Sequence, residues 1–141
     1  MKPIIHNTLA VIAGLIFGSV VNMSLISLGK ELIAAPAGVD VSTMQSLAQT
    51  MHLFEPKHFL FPFLAHALGT LAGAMLAAKI AISHQMKIAM LIALAFLAGG
   101  ITMVLRLPSP FWFNVLDLVG AYIPMAYLGY KLATKSQAAV K

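Results

Sequence analysis

The sequence predicts an all-α integral membrane protein, a single transmembrane domain built as an antiparallel four-helix bundle with a short amphipathic helix in its outer loop. Of the 141 residues, 60% are hydrophobic and only 9% are charged, whereas a soluble domain carries about 25% charged residues. Four apolar runs each approach the ~20 residues that a helix needs to cross the ~30 Å hydrocarbon core. These runs lie at residues 4–28, 59–82, 88–105 and 111–132, and the outer loop is 29–58.

Basic residues give the expected orientation of these runs. One side of the membrane collects most of them, namely Lys2, Lys79, Lys87, Lys131, Lys135 and Lys141. The positive-inside rule then places both termini in the cytoplasm and the outer loop outside. The small size and simple topology favour a bacterial inner membrane. The first apolar run is longer than the core of a signal peptide, so we expect it to be retained.

Composition also excludes several classes of function. The net charge of +5 comes from lysines scattered at helix ends, without the basic run interleaved with aromatic residues that nucleic-acid binding requires. The chain has no cysteine, which excludes disulfides, thiolate catalysis and cysteine-based metal sites. We expect no cofactor.

The first run carries a stripe of small residues. Ala10, Gly14, Gly18 and Asn22 follow at steps of four and therefore share one helical face. Glycines at this spacing allow another helix backbone to approach closely. The partner is either another helix of the same chain or, in a homo-oligomer, a second copy.

The outer loop combines a turn with a short helix. Pro36, Gly38 and Asp40 mark the turn. After it, apolar residues recur at helical spacing, with Asp40 or Ser42 as the expected N-cap. We expect an amphipathic helix that either lies at the outer interface or folds over the bundle as a lid.

The second run places polar and small residues on one face. Pro56 suits a helix start, and Pro62 should bend the helix or free a carbonyl. His66 and Thr70 continue the same four-residue steps, and Gly69 and Gly73 lie beside them. Like the glycines of the first run, these two predict close helix packing or oligomerisation.

The last two runs contribute glycines and a carboxylate. Gly99 and Gly100 interrupt an otherwise featureless third run. In the fourth run, Trp112 anchors the outer interface, and Asp117 lies within the apolar stretch. A carboxylate in a membrane helix is costly unless it is paired, so it marks a functional site by default.

Polar residues of three runs reach a similar depth. At 1.5 Å per residue, Asn22 lies ~9 Å, His66 ~13 Å and Asp117 ~10 Å below the outer ends of their helices. We therefore predict that Asp117 and His66 lie within hydrogen-bond reach, directly or through one water, with Asn22 in the next shell. The predicted pocket consists of Asp117, His66, Asn22, Gly99, Gly100 and Thr70, and its outer mouth of His52, Glu55, Lys57, His58 and Arg106.

The paired residues allow three interpretations. We favour an outward-facing pocket that binds or transports a proton, a cation or a small polar ligand. The alternatives are a structural or partner subunit, in which the pair only holds helices together, and a membrane enzyme that uses the pair on a lipid-like substrate. A metal site formed by His58, His66 and Asp117 is a weaker candidate, because no dense ligand signature is present.

The stretch Met51-His52-Leu53-Phe54-Glu55-Pro56-Lys57-His58-Phe59, together with His66-Ala67-Leu68-Gly69-Thr70, resembles a group of small bacterial four-span membrane proteins. The resemblance covers most of the chain. It implies a four-span fold but no activity, and it assigns no role to any residue.

Overall fold

The computed structural model describes residues 3–138, so Lys2 and Lys141, which support the predicted orientation, lie outside the described residues. Within this range every regular element is helical, which confirms the predicted fold class. The helices are α1 (Pro3–Leu32), α2 (Met44–Thr50), α3 (Leu60–Ile80), α4 (Gln85–Arg106), α5 (Phe111–Gly120) and α6 (Ile123–Ala138), with 3₁₀ turns at Met51–Leu53 and Pro56–Phe59.

Four helical segments are long and apolar enough to cross a membrane: Pro3–Leu32, Pro56–Ile80, Gln85–Arg106 and Phe111–Ala138. The first of them continues beyond its predicted end at residue 28. Its 30 residues span ~45 Å at 1.5 Å per residue, which exceeds the ~30 Å hydrocarbon core. Helix α1 must therefore tilt or extend past the hydrocarbon.

Helix α3 is the centre of the bundle and packs against α1, α4 and α6. Its contact with α1 is made by backbone rather than by long side chains. A Cβ added at Gly73 would lie 2.6 Å from the Gly14 carbonyl oxygen, and one added at Gly18 would lie 2.7 Å from the Gly69 oxygen. The two glycine pairs thus face each other within one chain, and this face is already occupied by α1 and α3.

The bundle has small residues in its core and large apolar residues on its surface, the distribution expected of a protein in lipid. Buried positions of the main cluster are mostly alanine, and Gly129 brings α6 within 2.6 Å of the Leu71 carbonyl oxygen, measured to an added Cβ. Large apolar side chains point outward, among them Leu105 at 81% and Val119 at 69% exposure. In lipid, apolar side chains gain little from burial, so close packing of small residues holds the helices together.

The fourth span is broken rather than continuous. Helix α5 ends at Gly120 and α6 begins at Ile123, with Ala121 and Tyr122 in a bend between them. The sequence indicated a single run here. The break is explained by Pro124, which has no N–H to donate to the Gly120 carbonyl four residues earlier.

Polar contacts gather three chain segments at one end of the bundle. His6 Nε2 donates to the Ile80 carbonyl at 3.0 Å, and Asn7 Nδ2 donates to the Ser83 hydroxyl at 3.0 Å. Gln137 Nε2 donates to the Lys79 carbonyl at 3.1 Å. The beginning of α1 and the end of α6 therefore lie at the same end as the α3–α4 turn.

The outer loop of residues 29–58, called the outer segment below, folds over the opposite end of the bundle. Leu47 and Met51 of this segment pack with Phe59 and Phe113, which matches the lid alternative. The predicted caps were wrong, because Thr43 Oγ1 accepts the Ser46 amide at 3.1 Å and is the N-cap of α2. Asp40 instead closes the preceding turn, where its Oδ1 accepts the Ser42 amide at 2.8 Å.

Acidification should loosen this turn. Hydrogen bonds from the Ser42 hydroxyl and amide lower the pKa of the exposed Asp40 carboxyl. The stabilisation is therefore complete above the ordinary aspartate pKa of about 3.9 and is lost as the pH falls through the lower folded value. We expect the NMR shift and exchange protection of the Ser42 amide to change only below pH ~4. The same change in Asp40→Asn, which does not titrate, would contradict this assignment.

Candidate functional site

A hydrogen-bonded trio joins α3 to the break in the fourth span. His66 Nδ1 lies 2.8 Å from Asp117 Oδ1 and 3.0 Å from Oδ2, and the Tyr122 hydroxyl donates to Asp117 Oδ2 at 3.0 Å. Asp117 is 2% exposed and Tyr122 is 1% exposed. With Asp117 as a carboxylate, which only accepts hydrogen bonds, the hydrogen between the two side chains belongs to His66 Nδ1. Two donors thus satisfy a carboxylate that lipid alone would leave without a partner.

The helix break and a glycine together place Tyr122 in this trio. Asp117 and Tyr122 are five residues apart, which at 3.6 residues per turn puts them on different faces of a continuous helix. The bend at Tyr122 turns its side chain back, and its ring stacks on the His66 ring at a centroid distance of 5.8 Å. A Cβ at Gly100 would collide with the Tyr122 hydroxyl, so Gly100 makes room for the tyrosine.

A cavity of about 220 Å³ lies beside the trio, between α1, α3 and α4. It is smaller than the ~300–1,000 Å³ of pockets for drug-sized ligands. Asp117 does not line it and lies behind His66. A Cβ at Gly99 would meet no atom within 4 Å, so a small side chain fits at this position of the wall without a clash. Its lining consists of Ser19, Asn22, Met23, His66, Gly69, Thr70, Phe96, Gly99, Gly100, Met103 and Tyr122.

Thr70 stands out among the helical hydroxyls of residues 3–138 because it is buried without a hydrogen-bond partner. The hydroxyls of Thr8, Ser24, Thr50, Thr102 and Thr134 each donate to the carbonyl four residues earlier, the usual arrangement for a helical serine or threonine. Thr70 is 1% exposed, yet its Oγ1 has no hydrogen-bond partner among residues 3–138. A buried polar atom without a partner is costly, and this residue lines the cavity.

His66 offers the cavity a second unused group. Its Nδ1 is occupied by Asp117, and its Nε2 makes no hydrogen bond within the part of the chain that the structure describes. A carboxylate that holds Nδ1–H fixes the tautomer and the ring orientation and leaves Nε2 as an acceptor. Nε2 can therefore accept a hydrogen bond or a proton from a molecule in the cavity.

Asn22 lies in the opposite wall, on α1. It lines the cavity together with His66 but takes no part in the trio. An amide brings a donor and an acceptor. The cavity thus presents an imidazole, a hydroxyl and an amide from two facing helices.

The residues predicted to form the outer mouth do not line this cavity. His52 and Arg106 are exposed, and Lys57 pairs with the equally exposed Glu55 at 3.0 Å. His58 has a local role, since its Nδ1 accepts the Glu55 amide at 2.9 Å and its Nε2 donates to the Ala34 carbonyl at 3.2 Å. Sequence proximity to the membrane surface could not reveal these local partners.

The weak metal candidate finds no support in the geometry. Among residues 3–138, no three histidine or acidic side chains meet in a group that could hold a metal ion. His66 and Asp117 meet, but both nitrogens of His58 are engaged with backbone groups elsewhere. The predicted set His58, His66 and Asp117 is therefore not assembled.

The pocket predicted from the sequence did not include Tyr122, which the structure places in the trio. The available signal was Pro124, two residues later, because a proline inside a membrane helix redirects the residues that precede it. Phe96 was also missed. Its ring lies 2.8 Å from the position of a Gly18 Cβ and lines the cavity between α1 and α4.

No family model, curated protein or solved structure matches this chain, and its function has to be inferred from the chemistry of the cavity itself.

Proposed function

We propose that this membrane protein binds or transports a small polar ligand, which it holds in the cavity beside His66. The observation that carries the proposal is the buried Thr70 Oγ1, which has no hydrogen-bond partner among residues 3–138 and lies in the cavity wall beside the partly exposed His66 imidazole. Buried polar groups in proteins are almost always hydrogen-bonded to protein or to ordered water. A ligand or water in the cavity is the available source of a partner for this hydroxyl.

The position of Asp117 favours a polar ligand or a proton over a metal cation. A cation would gain most from a carboxylate in the cavity wall, but both oxygens of Asp117 face His66 or Tyr122. Asp117 is therefore a positioning residue, which orients the imidazole and fixes its tautomer. His66 makes the direct contact.

The broken fourth span supports transport as the use of this site. Discontinuous helices near the middle of the membrane form the substrate sites of many transporters. Here the break at Ala121 and Tyr122 adjoins the trio, and Tyr122 belongs to both the trio and the cavity wall. A small rotation of α6 against α5 would move the Tyr122 ring relative to His66.

The proposal includes an orientation. The beginning of α1, the end of α6 and the α3–α4 turn share one side. The described lysines near these elements are Lys79, Lys87, Lys131 and Lys135. Positive residues favour the cytoplasm, so we place this side inside a bacterial inner membrane. The cavity then opens from the outer half of the bilayer.

Cysteine accessibility tests the cavity and the orientation together, because the chain has no cysteine of its own. Gly99→Cys fits without a clash, and we expect it to react with a membrane-impermeant thiosulfonate added from outside, since thiolates form only where water reaches. Ser46→Cys in the outer segment should react from the same side. Leu94→Cys, on the lipid-facing side of α4, is the unreactive control.

The same experiment separates the proposal from the structural alternative. That alternative has an observation in its favour, because the trio satisfies its own hydrogen bonds and can hold α3 to the fourth span without any ligand. Should Gly99→Cys resist labelling from both sides while Ser46→Cys reacts, the trio is interhelical packing and the binding proposal fails. Labelling of Ser46→Cys only from the cytoplasm would overturn the orientation.

Thr70→Val provides a stability test of the unused hydroxyl. Valine preserves the shape and removes an oxygen that no described residue satisfies, so the free energy of unfolding should stay unchanged or rise by up to ~1 kcal/mol. Thr102→Val is the matched control, since the Thr102 hydroxyl donates to the Ala98 carbonyl. Unfolding in micelles by denaturant measures both, and a clear loss of stability in Thr70→Val alone would show that the hydroxyl has a partner within the protein.

A further inference from the structure

A second cavity, of about 350 Å³, lies at the outer end of the molecule and shares no residue with the cavity beside His66. Its walls come from the outer half of α1, the outer segment and the beginning of α3. Most of the lining is apolar, including Ile26, Ile33, Val41, Leu47, Phe54 and Phe61. Its volume is at the lower end of the ~300–1,000 Å³ typical of ligand pockets.

Specific contacts fix the walls of this second cavity, called the outer chamber below. At its inner side α1 touches α3 closely, because a Cβ at Gly29 would collide with the Phe61 ring. On the outer side the His58 Nε2 hydrogen bond to the Ala34 carbonyl fastens the chain that leaves α1. The edge-on contact of Phe54 with the His58 ring, at 5.3 Å between centroids, fixes the 3₁₀ region in the same wall.

The two lysines near this 350 Å³ chamber differ in whether they form an ion pair. Lys30 lines it and has no ion-pair partner among residues 3–138, whereas Lys57 is paired with Glu55 at 3.0 Å. His58, the other polar residue of the lining, uses both nitrogens for backbone groups. An apolar chamber with one unpaired ammonium at its wall is complementary to a molecule with one anionic group and one apolar chain.

We propose that this outer chamber binds a single-chain anionic amphiphile, a long-chain fatty acid, with its carboxylate at Lys30 and its chain beneath α2. The chamber volume suits one chain, and a two-chain phospholipid would leave its second chain without a site. The outer segment serves as the cover, with Leu47 facing the chain. This site is independent of the ligand proposed for the cavity beside His66.

Photolabelling with a diazirine-bearing palmitic acid tests the site on the full chain in phosphatidylcholine vesicles. We expect the label on peptides of the outer segment and the outer end of α1, and displacement by excess oleate. Leu47→Trp, which fills the chamber, should abolish this labelling, and Lys30→Gln should weaken binding about tenfold, the value of a lost charge-assisted hydrogen bond. Leu105→Trp, at an 81% exposed position, should label as the wild type does.

Three results would overturn the assignment. The first is label spread over lipid-facing residues and insensitive to Leu47→Trp. The second is equal displacement by oleate and its methyl ester, which would remove the role of Lys30. The third is equal displacement by phosphatidylglycerol, which would identify a bilayer phospholipid as the occupant. Circular dichroism of Leu47→Trp and Lys30→Gln establishes that both variants are folded. If one of them is unstable, the other still tests the site, because one changes the volume and the other the charge.

Discussion

Gly73→Ala should destabilise the bundle by about 1–3 kcal/mol, the cost of overpacking a close contact. The direction is opposite to the usual one, because replacing glycine by alanine inside a helix ordinarily stabilises it by roughly 0.5–1 kcal/mol. The added methyl group would lie 2.6 Å from the Gly14 carbonyl oxygen. Neither backbone can yield without separating α1 from α3, the contact on which the bundle depends most.

Gly99→Ala is the matched control on a neighbouring helix. Its methyl group meets no atom within 4 Å. The remaining effect is the higher helix propensity of alanine than of glycine, so the free energy of unfolding should hold or increase. Denaturant unfolding in micelles, followed by circular dichroism, compares the two. If both variants change stability in the same direction, the glycine contact between α1 and α3 is not the determinant of packing that we describe.

Asp117→Ala should destabilise the protein by about 1–3 kcal/mol, because it leaves the buried Tyr122 hydroxyl without an acceptor and also removes the acceptor of the partly exposed His66 Nδ1. This exceeds the ~0.6 kcal/mol average of a single interhelical hydrogen bond in a membrane protein. His66 Nδ1 and the Tyr122 hydroxyl lose their shared partner at the same time. The variant should also free the imidazole to rotate and to exchange tautomers.

A double-mutant cycle isolates this effect from general loss of packing. His66→Phe and Asp117→Ala are measured singly and together, and the coupling energy reports the trio. Leu116→Ala, on the exposed side of α5, is the control and should leave stability nearly unchanged. Additive losses from the two trio variants would show that His66 and Asp117 do not interact in the folded protein.

The shared level of His66 and Asp117 along the bundle could be predicted from the sequence, but the rotation of their helices could not. Counting residues from the helix ends placed His66 and Asp117 at one depth, and they meet at 2.8 Å. Depth follows from a constant rise per residue. Which side of each helix faces inward depends on packing, and therefore the roles of Tyr122 and of Gly100 became visible only in the structure.

The outer end shows the opposite limit of sequence reasoning. Titratable residues near the predicted membrane surface suggested a common mouth to the cavity. In the structure several of them instead have separate partners close by in the sequence. His58 caps the 3₁₀ turn that leads into α3, and Thr43 rather than Asp40 caps α2. Such choices turn on one hydrogen bond within a few residues, and several candidates at neighbouring positions have similar preferences.

The distinction between Thr70 and the other helical hydroxyls was likewise hidden in the sequence. Its spacing from His66 placed it on the same face, but a threonine in a helix has a default partner in the carbonyl four residues earlier. Only the structure shows that the default is not taken at Thr70. The proposed function depends on this departure more than on the hydrogen-bonded pair of His66 and Asp117.

Solid-state NMR of ¹⁵N-histidine-labelled protein in bilayers tests most directly whether His66 is an oriented group within reach of water. Loss of one signal in His66→Gln assigns the ring. The account predicts the Nδ1–H tautomer, with hydrogen shared with Asp117, and rapid magnetisation transfer from water to the ring. An Nε2–H tautomer, or a ring that receives no magnetisation from water, would contradict it.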